Sequence, residues 1–141
     1  MAWFNKEKQP LILVVDDNIE IVEALAMMLE HENFRVKKAL GGREALISLK
    51  QYYPDLVILD IMMPWMDGSE VLLKIKSQPE TKDVPVLMCT AVNEIKLVEQ
   101  CFKWGCCGYI VKPFERERVL EKINGVFENR AEGPENSGGE K

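Results

Sequence analysis

Residues 57–68 read VILDIMMPWMDG, and how Asp60 is understood within that stretch decides the reading of the whole chain. Leu56-Val57-Ile58-Leu59 is an unbroken apolar run that ends on a carboxylate with no basic residue beside it. A strand covered on both faces reads as a continuous run rather than an alternation, and such strands belong to parallel sheets. Parallel strands need helical crossovers, so helices are expected on both sides of this segment in the chain. Pro64 and the Asp67-Gly68 pair break the apolar stretch, and a helix from about Ser69 carries Val71, Leu72 and Ile75 at helical spacing.

Working outward, the same alternation repeats. Upstream, Leu11-Ile12-Leu13-Val14-Val15 is a second buried run, ending in Asp16-Asp17-Asn18. Ile19, Val22, Leu25, Ala26 and Leu29 then mark a helix up to about His31. Asn33 gives a turn before a short strand over Phe34-Arg35-Val36-Lys37, and Gly41-Gly42 opens a helix stopped before Tyr53-Pro54. Downstream, Val86-Leu87-Met88-Cys89 forms a strand ending at Thr90-Ala91. Asn93 is a candidate cap for a helix bearing Ile95, Leu97, Val98 and Phe102. Tyr109-Ile110-Val111 is the last strand, ending at Lys112-Pro113, and a final helix is expected from about Glu115 to Phe127. Residues 1–9 read as a short arm, 10–128 as one domain, and 129–141 as a disordered polar tail rich in Glu, Gly, Asn and Ser.

Five strands alternating with five helices predict an α/β fold, a doubly wound parallel sheet with helices on both faces. Ligands of such sheets bind outside the carboxyl ends of the strands, where strand order reverses. Asp60 thereby gains company. Asp16-Asp17, Asp60, Thr90 and Lys112 all stand at carboxyl ends, and the topology brings them to one edge.

Composition narrows the function. The chain has 141 residues, 47% of them hydrophobic, which suits one domain with a sizeable core. A net charge of -5 excludes a basic footprint for nucleic acid or an anionic membrane. No apolar stretch reaches the roughly 18 residues needed to span a bilayer, and the N-terminus lacks a signal-peptide core, so a cytoplasmic location is expected. Cys89, Cys101, Cys106 and Cys107 lack paired metal-ligand spacing and are read as reduced thiols. His31 is read as a solvated residue at a helix end.

Three carboxylates held together repel unless a cation neutralises them. Oxygen donors suit a hard ion, and Mg²⁺ favours one or two protein carboxylates together with water and phosphate oxygens. A lysine and a hydroxyl opposite them would complete a clamp for a phosphoryl group, and an aspartate can itself be the nucleophile. Taken singly these residues are unremarkable: Asp60 reads as a turn cap, Asp16-Asp17-Asn18 as a helix cap, Lys112-Pro113 as a solvated loop. Their convergence carries the functional reading.

The segments "LVVDDN", "LVILDIMMPWMDG", "PVLMCTA" and "GYIVKPF", in this order over about residues 10–128, resemble the receiver domain of two-component response regulators, the family of the chemotaxis response regulator. The resemblance implies a flavodoxin-like sheet of order 2-1-3-4-5, Asp60 as phosphoacceptor, and a Mg²⁺ or Mn²⁺ site at Asp16, Asp17, Asp60 and the Met62 backbone carbonyl. Thr90 and Lys112 match the groups that bind phosphoryl oxygens, with Thr90 and Tyr109 as switch residues and Lys112-Pro113 in the cis form. It also implies a histidine kinase or phosphotransfer protein as donor and a downstream output protein or domain as target. A homodimer through the fourth helix, fifth strand and fifth helix is left open alongside a monomer, and no direct nucleic-acid or membrane binding is expected. Trp65 and Trp104-Gly105-Cys106-Cys107 depart from the family pattern.

A phosphohydrolase working through an aspartyl-phosphate would need a general acid two residues past the nucleophile, where this chain has Met62. A binding module without phosphorylation is disfavoured by the intact Asp17, Asp60, Thr90 and Lys112. The expectation is therefore a phosphoryl acceptor with slow self-dephosphorylation, not a turnover enzyme. Nothing after Phe127 reads as an output domain, which leaves a stand-alone regulator and a piece of a longer protein both open.

Overall fold

The computed structural model describes residues 9–132, with the side chains of 130–132 left aside. Elements alternate along the chain: β1 Leu11–Val15, α1 Ile19–His31, β2 Arg35–Ala39, α2 Gly42–Tyr52, β3 Leu56–Asp60, α3 Gly68–Lys76 and β4 Val86–Ala91. After a 3₁₀ turn at Val92–Glu94 come α4 Ile95–Lys103, β5 Gly108–Lys112 and α5 Arg116–Glu132. All strand pairs are parallel and the sheet order is β2-β1-β3-β4-β5. This is the flavodoxin-like arrangement expected from the sequence.

Side chains of the central strands divide by parity between two cores. Leu13, Val15, Val57, Leu59 and Met88 point to one face, where Ala45 and Leu49 of α2, Val71, Leu72 and Ile75 of α3, and Val98 and Cys101 of α4 cover them. Ile12, Val14, Leu56, Ile58, Leu87 and Cys89 point to the other, under Val22, Leu25 and Leu29 of α1 and Val119, Ile123 and Phe127 of α5. Burial on both faces explains why β1 and β3 carry no alternation: every residue of each is buried. β2, an edge strand, is mostly polar and half exposed.

Three local expectations are corrected. β2 starts one residue later and runs two further than the apolar pattern indicated, because pairing with β1 from Leu11↔Arg35 to Val15↔Ala39 sets its extent. Asn93 does not cap α4. It lies inside the 3₁₀ turn, where the Glu94 carboxylate accepts from the Ala91 N–H at 3.2 Å, and α4 begins at Ile95. α5 continues past Phe127 through Glu132, into the stretch read as a tail from 129. The rest of that tail, from 133, and residues 1–8 of the arm lie outside the described residues.

Candidate functional site

Strand order reverses between β1 and β3, and the acidic residues stand at that point. The β1–β3 register runs to Val15↔Leu59, so the next step along both strands sets Asp16 beside Asp60. β4 and β5 follow on the same edge, with Asp60↔Cys89 and Ala91↔Lys112 in register. Carboxylate oxygens of Asp16, Asp17 and Asp60 lie within 4.8 Å of one another. Asp16 and Asp60 are buried, whereas Asp17 is exposed.

The cap competing for these acids is resolved by Asn18. Its side-chain oxygen accepts from the Glu20 N–H at 2.9 Å as the N-cap of α1, and Asp16 Oδ1 accepts from the Asn18 N–H at 2.9 Å. Helix capping therefore makes no demand on Asp17. Lys112 reaches across from β5, its Nζ 2.8 Å from Asp16 Oδ2 and 3.0 Å from Asp60 Oδ1. The contact to Asp60 is a hydrogen bond. Asp16 Oδ2 has the ammonium close by as an ion pair, yet it is a buried acceptor without an aligned hydrogen-bond donor. One ammonium between two buried carboxylates leaves negative charge and lone pairs uncompensated.

That imbalance appears in protonation. Burial pushes the Asp60 carboxyl up to about 6, the Lys112 hydrogen bond opposes this, and the Asp16 charge adds to it. For Lys112, burial alone would weaken the ammonium, but its close approach to the Asp16 and Asp60 carboxylates outweighs this and holds its pKa above the ordinary value. A clustered oxygen-donor set with an underused buried oxygen fits a hard divalent cation. Met62, two residues beyond Asp60, has its side chain half exposed to solvent.

Thr90 is fully buried at the end of β4, its hydroxyl donating to the Ala91 carbonyl at 3.1 Å. Met88 pairs with Tyr109 and Thr90 with Val111 across β4–β5. By strand alternation Thr90 and Tyr109 therefore share the α4-side face, as diagonal neighbours. Tyr109 is half-buried, edge-on to Phe102 of α4 with ring centroids 6.4 Å apart, and Lys122 of α5 lies 5.4 Å over its ring. The Lys112-Pro113 peptide is cis, as expected. His31 is exposed at the far end of α1, outside the cluster.

The β3–α3 loop holds what the sequence did not reveal. Gly68 closes it: its N–H donates to the Ile61 carbonyl at 2.8 Å, and a Cβ there would stand 2.2 Å from the Asp60 carbonyl oxygen. Only glycine lets α3 start against the strand end, and the Asp67 side chain caps that helix from the Glu70 N–H. Between them, the Met66 N–H donates to the Pro64 carbonyl at 2.7 Å around Trp65, whose φ is +72°. This is a three-residue γ-turn of the positive-φ kind, a rare and strained form. Left-handed backbone costs an L residue about 1–2 kcal/mol. The Trp65 side chain, fully exposed, gains nothing by packing in return.

Residues 12–124 match the model of the response regulator receiver domain. The chain is 40% identical over 116 residues to the transcriptional regulatory protein ResD of Bacillus subtilis, covering 82% of this chain and 47% of that protein. It is 34% identical over 118 residues to the DNA-binding dual master transcriptional regulator RpaA of a Synechocystis strain, covering 84% and 49%. The chain thus spans about half the length of these relatives. Among solved structures, the chemotaxis response regulator CheY4 of Vibrio cholerae superposes with a TM-score of 0.79 at 31% identity, covering 84% of this chain and 99% of that one.

Proposed function

The chain belongs to the response regulator receiver domain family of two-component systems, and from that premise we propose that Asp60 accepts a phosphoryl group from a phosphohistidine of a sensor kinase or phosphotransfer protein. The observation that carries this reading is the clustering of Asp16, Asp17 and Asp60 around a single ammonium at the switch point of the sheet. In the step proposed, a carboxylate oxygen of Asp60 forms the O–P bond while the P–N bond of the phosphoimidazole breaks. The imidazole nitrogen keeps that electron pair and takes up a proton.

Asp16, Asp17, Asp60 and the Met62 backbone carbonyl would hold Mg²⁺, or Mn²⁺ in its stead. When bound, that ion neutralises the carboxylates and the charge of the transferring phosphoryl oxygens. Lys112, now drawn to Asp16 and Asp60, is within reach of a phosphoryl oxygen on the latter, and Thr90 would donate its hydroxyl to another. Thr90 would leave the Ala91 carbonyl to do so, making room that the Tyr109 ring can take. The α4–β5–α5 face would thereby change its shape toward an output domain or partner, or toward a second copy of the chain. A modification shifts such an equilibrium only by its differential interaction with the two states, and Thr90 supplies that difference. The cytoplasm suits this exchange, and no helix among the described residues is long and apolar enough to cross a membrane. By this reading the domain accepts a phosphoryl group and loses it slowly to water, without turning over external substrates.

The test is incubation with acetyl phosphate and Mg²⁺, followed by intact mass measurement. One phosphoryl adduct is expected, and it should not form when the cation is chelated. No adduct on the wild-type chain would end the reading.

A further inference from the structure

We infer that Trp65 is an anchor for the protein that donates the phosphoryl group, read from its strained turn beside Asp60 and its complete exposure. The inference rests on the reading of Asp60 as phosphoacceptor and names how the donor is recognised there.

Three observations converge on this residue. The positive-φ turn at Trp65 is a conformation that favours glycine, and a large aromatic there opposes folding. Its ring meets no compensating core: it is the most exposed large hydrophobic side chain among the described residues. A locally unfavourable choice without internal gain points to a role outside the fold. The loop is also fixed relative to the chemistry. It leaves β3 at Asp60, and Gly68 returns it against the Asp60 carbonyl through the bond to Ile61, so Trp65 is held at a set offset from the acceptor.

The occupant follows from access. Asp60 is 4% exposed, so whatever delivers a phosphoryl group to it must arrive on a slender side chain while the bulk of the donor rests outside. On the β3 and β4 sides, the loops at this edge present the apolar side chains of Met62, Pro64, Trp65 and Val92 together with polar Asn93, all exposed, while the charged Asp67 and Glu94 are half-buried. An exposed tryptophan with apolar neighbours is the composition of an interface hot spot, which pairs with an apolar patch on the partner. The partner surface that fits is therefore an apolar face next to a phosphohistidine, on a kinase or phosphotransfer protein. A small phosphodonor, too short to span from Asp60 to the loop tip, has no need of the ring.

The experiment compares two donors on the full chain: acetyl phosphate, and autophosphorylated sensor kinases of the source organism, using the kinase that labels the wild type fastest. Trp65→Ala should keep the acetyl phosphate rate and lose about tenfold or more in transfer from the kinase. Trp65→Phe should restore part of that loss. Trp65→Gly should lose the same transfer while melting no lower than wild type, which a structural role for the ring would not allow. Equal transfer from the kinase to wild type and Trp65→Ala overturns the anchor, as does the absence of any kinase that labels a wild type competent with acetyl phosphate. Failure of acetyl phosphate to label the wild type is a different result: it rejects Asp60 as acceptor.

Discussion

The two edges of the sheet use polar side chains in opposite ways. At the amino edge Asp55, Lys76 and Thr81 are spent on backbone. Asp55 Oδ2 accepts from the Leu11 N–H at 2.8 Å where β1 begins. Lys76 Nζ donates to the carbonyls of Lys82 and Val84 at 2.9 and 2.8 Å, tying the end of α3 to the turn before β4. Buried Thr81 donates to the Ile75 carbonyl at 2.6 Å. At the carboxyl edge, carboxylates of like charge are gathered, one buried oxygen lacks a directed donor, and a tryptophan occupies a strained turn. The amino edge lowers the free energy of the fold. The carboxyl edge raises it, and under the proposed function what it gains is an arrangement that a cation and a phosphoryl group would complete.

The comparison breaks if removing charge from the carboxyl edge destabilises the protein. Asp60→Asn should abolish the phosphoryl adduct entirely, since the nucleophile is gone while the shape is kept. Without divalent cation it should also make the protein more stable near neutral pH. The folded Asp60 has its pKa raised from 3.8 to about 6, so its contribution to stability is present below the lower value and is lost as pH rises through the upper one. The advantage of the asparagine variant should therefore be small near pH 4 and reach its full size above pH 6, on the order of 1–3 kcal/mol. Chemical denaturation across that range measures it. A variant less stable than wild type at pH 7.5 would contradict the contrast between the edges.

The amino edge predicts the mirror image. Lys76→Met keeps most of the aliphatic stem but strips the donors from two carbonyls, at a cost of about 1–3 kcal/mol. Burial already lowers the pKa of this lysine, so its ammonium is held at some expense and stays because those acceptors need it. Labelling by acetyl phosphate should be unaffected once the folded fraction is equalised. A variant of unchanged stability with altered labelling would place Lys76 in the functional half.

Under the proposed function Thr90 is the link between the chemistry and the α4–β5–α5 surface. Thr90→Ala should still form the adduct, since Asp60 and the carboxylates remain, but amide exchange in α4 and around Tyr109 should no longer respond to phosphorylation. An exchange response equal to that of the wild type would remove Thr90 from the path.

How far the sequence could be read follows the same division. Buried parallel strands announce themselves as apolar runs, and charges end them, so β1 and β3 were legible to the residue and the carboxyl-edge cluster followed from topology. Where no such contrast exists, legibility fails. β2 on the edge is mostly polar, with Lys37 and Lys38 breaking any alternation, and its extent comes from pairing rather than composition. The last turn of α5 has no large apolar residue to continue the period, only Ala131, so it resembled a tail. Asn93 carried a sound cap signal, but the neighbouring Glu94 folded back onto Ala91 and shifted the helix start. The turn at Trp65 was invisible because a two-residue backbone bond leaves no side-chain signature, although the bulk of the residue could be noted. Asn18 and Asp17 were told apart only by geometry, since either can cap a helix.

The smallest predicted effect concerns how long the phosphorylated state lasts. Hydrolysis of an aspartyl-phosphate needs water aligned with the bond to phosphorus. Met62 and Val92, two residues beyond Asp60 and Thr90, stand on the loops that flank this approach, and both are open to solvent at 50% and 69%. Neither can hold a water by a strong hydrogen bond, so water reaches the site but is not oriented there. Replacing them with groups that can, in Met62→Asn combined with Val92→Glu, should speed decay of the adduct several-fold, each ~1.4 kcal/mol of barrier being a factor of about ten. Decay is followed by intact mass after the donor is removed, in the presence of Mg²⁺. The glutamate also adds negative charge near a phosphoryl group, which repels an incoming hydroxide but not neutral water, so the acceleration should persist at lower pH. Decay equal to that of the wild type would mean that the apolar pair does no more than cover the rim, and that the barrier is set by Lys112 and the carboxylates beneath it.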